Sequence, residues 1–79
     1  MFSAKILLNT VDKVKSFVNA ASKIDCELDL CAERYIIDAK SIMGIFSLDL
    51  TKEMNLKAHT ANTNELEKIM LLLGPYMVK

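Results

Sequence analysis

The side chains best suited to nucleophilic, ligand or proton chemistry in this sequence are Cys26, Cys31, Ser41 and His59. Cys26 and Cys31 close the stretch "CELDLC" five residues apart. On a strand an odd offset sends two side chains to opposite faces, so these thiols are expected neither to pair nor to share a metal. With one histidine in the sequence, nitrogen and sulfur ligands do not cluster as zinc requires, and no metal or cofactor is expected. His59 falls on the polar phase of the alternating stretch "EMNLKAHT". That reads as a solvent-facing strand residue, away from any helix N-terminus that would stabilise a phosphate on it.

Ser41 stands in "DAKSIMGIF", ahead of four large apolar side chains and a glycine. Its first reading is structural: a hydroxyl accepting a backbone N–H of the next turn caps a helix and contributes about 1 kcal/mol. Its second is chemical, because a phosphate on that oxygen would sit at a helix N-terminus, where the dipole favours negative charge. Ile42, Met43, Ile45 and Phe46 divide between faces of the short helix, and one sheet cannot bury them all. Some of them are expected to remain exposed.

The elements that must position these groups follow from periodicity. "FSAKILL" alternates Phe2, Ala4, Ile6 and Leu8 against Ser3, Lys5 and Leu7, which predicts a first strand. Val11, Val14, Phe17, Val18 and Ala21 fall at helical spacing and predict a helix over about 11–22. "IDCELDLC" alternates strictly from Ile24 to Cys31, predicting a strand with one covered and one wet face, and "YIID" follows as its hairpin partner. A short helix is placed at 41–48 and a fourth strand at Met54 to Thr60. The last helix, about 63–73, carries Asn62 as cap, Glu65 as in a capping box, and Gly74-Pro75 as its stop. Lys13, Lys15, Lys23, Lys40, Glu65 and Glu67 read as solvated helix faces or ends, and Tyr35 and Tyr76 as packed rings with wet hydroxyls. The order is βαββαβα: an α+β, open-faced sandwich with a four-stranded antiparallel sheet and three helices on one face.

Bulk properties narrow the function. The 79 residues form a single domain, 1–79, with 52% hydrophobic and 25% charged residues. Ten basic residues balance ten acidic ones, so no field draws the chain to nucleic acid or an anionic membrane. The longest apolar run, "IMLLLG", is far below a membrane span, and "MFSAKILLN" lacks a basic leader. A cytoplasmic monomer is expected.

This element order, together with Ala39-Lys40-Ser41-Ile42-Met43-Gly44-Ile45-Phe46-Ser47-Leu48, resembles the HPr family, the small phosphocarriers of the sugar phosphotransferase system. The decapeptide looks like the family's regulatory-serine motif almost residue for residue, and "KSFVNAASK" looks like the body of its first helix. The family carries phosphate on a histidine at the start of that helix, in the order Gly, aliphatic, His, any residue, Arg, Pro. Counting back from Phe17, those places hold Leu8, Asn9, Thr10, Val11, Asp12 and Lys13. The resemblance thus puts Thr10 at the phosphohistidine position and Asp12 at that of the arginine. A threonine hydroxyl is a weak nucleophile that would form a stable ester, and a carboxylate repels an incoming phosphoryl group.

The resemblance further implies that Ser41 is a candidate regulatory phosphoserine and that Ile42, Met43 and Phe46 lie toward a docking surface, with Ile45 and Leu48 in the core. The partners it implies are enzyme I, a sugar-specific transport domain or a transcriptional regulator. The reading is a non-catalytic, binding or regulatory module of HPr type. Two alternatives stand beside it: a phosphocarrier using His59 or Ser41 as a non-standard acceptor, and a structural piece of a larger assembly.

Overall fold

The computed structural model describes residues 2–78. Strand β1 (Phe2–Ile6) leads into helix α1 (Val11–Ala21), and β2 (Leu28–Ala32) turns into β3 (Tyr35–Asp38). Helix α2 (Ile42–Phe46), β4 (Met54–Ala58) and α3 (Thr63–Leu73) follow, and a 3-10 turn (Gly74–Tyr76) closes the order. The strands form one antiparallel sheet, β1-β4-β2-β3.

Register divides the sheet into a dry and a wet face. Ala4, Leu56, Leu30 and Ile37 lie across from one another on the covered side. Leu30 and Leu56 are fully buried there with Ile6 of β1, Phe17 of α1, Ile45 of α2 and Ile69 of α3. Each such side chain contributes about 1.5–3 kcal/mol of burial free energy. The row one residue on, Ser3, Lys57, Asp29 and Asp38, lies on the open side, as period-2 alternation requires. No polar or charged residue is buried among the described residues. The α+β sandwich expected from the sequence is therefore the fold observed.

Several boundaries differ from the expected ones, each for a physical reason. β2 starts at Leu28, not Ile24. The His59 N–H donates to the Glu27 carbonyl at 3.0 Å, while the Ile24 and Cys26 carbonyls accept from Lys40 Nζ at 2.5 and 3.2 Å. The Glu27 bond continues the β2–β4 register by one residue, whereas the Ile24 and Cys26 carbonyls are taken by a lysine and not by a neighbouring strand. Cys26 and Cys31 are free thiols, but they do not share a strand, so strand parity is not what separates them.

Helix α2 is five residues long because Ser47 ends it: its hydroxyl donates to the Gly44 carbonyl at 2.6 Å and its N–H reaches the same oxygen at 3.2 Å. Val11, expected on the buried stripe of α1, is 53% exposed. Tyr76 packs edge-on against Phe17 with centroids 5.5 Å apart, whereas Tyr35 does not pack in and is 64% exposed.

At α3 the Asn62 side chain accepts from the N–H groups of Asn64 and Glu65, at 2.9 and 3.2 Å. The reciprocal half of a capping box is missing: the Asn62 N–H donates to Thr60 Oγ1 at 3.1 Å, and one carboxylate oxygen of Glu65 is buried without a partner. Nor is Gly74 a left-handed stop. Its φ and ψ are −51° and −41°, right-handed, and Pro75, which has no N–H to continue the α-helical ladder, sits in the tighter turn that follows. That turn lays the C-terminal segment along β1: Leu7 N–H donates to Tyr76 O at 3.0 Å, and Val78 N–H to Lys5 O at 2.8 Å. No helix among the described residues is long and apolar enough to cross a membrane.

Candidate functional site

Two helix starts carry the residues singled out in the sequence. At α1, Thr10 has extended backbone angles, φ −137° and ψ 156°, and its hydroxyl accepts the Lys13 N–H at 3.1 Å. Its carbonyl takes the Val14 N–H, also at 3.1 Å. Asp12 is the acidic residue of this first turn, and it stabilises the positive end of the helix dipole. Thr10 and Asp12 are both exposed. A base that activated the threonine would have to accept its O–H; among the described residues the hydroxyl only accepts, from the Lys13 N–H, and no side chain takes its proton in a hydrogen bond.

At α2 the same device recurs. Ser41, φ −97° and ψ 103°, accepts the Gly44 N–H at 3.2 Å through its hydroxyl and the Ile45 N–H at 3.1 Å through its carbonyl. Its own N–H donates to Asp38 O at 3.0 Å. Gly44 keeps space for this contact, because a Cβ there would come within 3.2 Å of the Ser41 hydroxyl oxygen. Helices α1 and α2 pack against each other. Of the apolar residues expected at the surface, Met43 is 77% exposed and Phe46 38%. Ile45 is fully buried, while Ile42 and Leu48, the latter expected in the core, are half-buried against it.

His59 lies elsewhere. It follows the last residue of β4, and Ala58 pairs with Phe2 at the start of β1. The chain leaves β1 for α1 at the other end, after Ile6. Four steps of strand, about 13 Å, separate those ends. The imidazole Nε2 is 2.6 Å from Asp29 Oδ2, and both side chains are about one-third exposed, 35% and 33%.

Lys40, next to Ser41, was expected in solvent and is not. Its ammonium holds the Ile24 and Cys26 carbonyls and so ties the α1–β2 connection to the approach to α2. Glu65 was likewise expected in solvent, yet it lies close enough to Cys26 that burial first, and the Glu65 charge second, push that thiol above its ordinary pKa. Neither arrangement has a local sequence signal: the partners of Lys40 are 14 and 16 residues away.

Set against known proteins, residues 12–73 match the PTS-HPr family model, described as the PTS HPr component phosphorylation site. The chain belongs to the HPr family. Its fold is similar to the crystal structure of HPr-C-His from Thermoanaerobacter tengcongensis, with a TM-score of 0.78 and 26% identity over 96% of this chain and 91% of that one. No curated protein matches the chain in sequence. The HPr match begins at Asp12, just after the cap of α1, and takes in Ser41 and all of α2. Among the described residues no group of three or more His, Cys, Asp or Glu side chains could hold a metal ion.

Proposed function

We propose that this HPr-family chain is a binding or regulatory module of the phosphotransferase system that does not relay phosphate through histidine. The observation that carries this reading is the start of α1, where a hydroxyl engaged as a helix cap shares a turn with a carboxylate. We take Thr10 and Asp12 as the counterparts of the family's histidine and arginine. A relay needs a nitrogen that forms a reactive N–P bond and a cation that steadies the phosphoryl group; an alcohol beside an anion supplies neither. The module is not an enzyme. It works in the cytoplasm by presenting Met43 and Phe46, with Ile42 beneath them, to enzyme I, a sugar-specific transport domain or a transcriptional regulator. Methionine suits such a surface, being unbranched and polarisable.

Ser41 is the regulatory residue of this proposal. A kinase that moved a phosphoryl group from a nucleoside triphosphate to its oxygen would place nearly two negative charges beside Met43. Docking would change with them.

The test is incubation with phosphoenolpyruvate and enzyme I, read by intact mass. The expected result is no acid-labile gain of about 80 Da, the mass of one phosphoryl group. One observation favours a second reading, in which His59 is the acceptor: Asp29 holds its ring in a fixed orientation. An acid-labile gain that disappears in His59→Gln would establish that reading and end the first.

A further inference from the structure

The two edges of the sheet are treated differently. The β1 edge is covered, since the C-terminal segment donates Val78 N–H to Lys5 O and accepts Leu7 N–H at Tyr76 O. The β3 edge has no such cover among the described residues. Ala39 N–H donates to Leu28 O at 2.9 Å, and alternation along an antiparallel pair then points the Ile37 and Tyr35 backbone groups at β2. Those of Ile36 and Asp38 point outward, where the Asp38 carbonyl already takes the Ser41 N–H at 3.0 Å. Ile36 is also 70% exposed on the open face of the sheet.

An open edge is a template for another strand, and this one has a particular charge pattern. With the hairpin-turn residue before it, β3 reads Arg34-Tyr35-Ile36-Ile37-Asp38, a cation in the turn and an anion at the strand end, equally spaced about Ile36. Arg34, the sequence's single arginine, is exposed and makes no ion pair among the described residues. Asp38 faces Asp29 across the β2–β3 pair, and like charges directly opposite are unfavourable.

We propose that β3 pairs antiparallel with β3 of a second copy about a two-fold axis through Ile36. Ile36 then exchanges both backbone hydrogen bonds with its symmetry mate. Arg34 of each copy stands opposite Asp38 of the other, and Tyr35 opposite Ile37. The axis makes every contact occur twice, so the edge is complementary to itself. Four strands become a continuous sheet of eight. Only a short strand is buried, so the dimer is weak, and the monomer expected from the sequence is its dilute form.

Sedimentation of the full chain from about 10 μM to about 1 mM tests this, with amide exchange read alongside. The expected result is a reversible dimer at the upper end, with Ile36 and Asp38 amides protected only there. Arg34→Asp should weaken association on the order of tenfold, and Arg34→Asp with Asp38→Arg should restore it, the charges having been exchanged. Ile36→Pro removes an outward donor, leaves the ladder to β2 intact, and should abolish the dimer. A single monomeric species up to the highest concentration overturns the proposal. So does a dimer indifferent to Arg34→Asp and Ile36→Pro, which would place the contact on another surface.

Discussion

The starts of α1 and α2 use one capping device in two chemical settings. Thr10 and Ser41 both accept the N–H three residues ahead, at 3.1 and 3.2 Å. The first turn of α1 also carries Asp12, whereas that of α2 has no acidic residue and a glycine that leaves room around the serine oxygen. A hydroxyl at a helix N-terminus is therefore not a phosphate site by itself; the neighbouring charge and free volume decide what it can accept. α1 combines its cap with a carboxylate in the first turn, and α2 has the cap without one.

The largest effect expected of a single change near these turns is at Lys40. Lys40→Met leaves two carbonyls without their charged donor and should cost about 1–3 kcal/mol in chemical denaturation. A variant as stable as the parent would mean that α2 is positioned by apolar packing alone. Next come the caps. Ser41→Ala and Thr10→Ala should each cost about 1 kcal/mol, lowering the melting temperature by about 4–8 °C. A cap substitution without effect would mean that the two caps do not hold their helices equally. Met43→Lys should leave stability and circular dichroism unchanged while removing partners from a pull-down, because the side chain is already in solvent. Unchanged capture would move the docking surface away from α2. The smallest effect concerns Cys26, whose thiol is raised by burial and then by Glu65. Glu65→Gln removes the second cause, so alkylation of Cys26 near neutral pH should speed up modestly, more thiolate being present at a given pH. An unchanged rate would leave burial as the whole cause.

Much of this was legible because it is local. Alternation found three strands and the hairpin turn the fourth, helical spacing found α1, and Asn62 marked the first turn of α3 to the residue. The decapeptide around Ser41 carried the family. What escaped depends on residues brought together by the fold. Lys40 looks like a solvated lysine until the α1–β2 connection arrives above it. Glu65 looks like half of a capping box until burial withdraws its carboxylate. His59 reads from the sequence as a residue of the fourth strand on its polar phase; the strand ends one residue before it, and its contact with Asp29, 30 residues away, needed the β2–β4 register. Gly74-Pro75 announced an end to α3 without revealing that the tail would return to cover β1.

The chemistry available at the opening of α1 decides between a docking module and a phosphate relay. Intact-mass measurement after incubation with phosphoenolpyruvate and enzyme I addresses it directly, with acid treatment to distinguish a phosphoramidate from an ester. The unmodified mass, or an acid-stable ester on a hydroxyl, is the predicted result. An acid-labile phosphoryl group on this chain would contradict it.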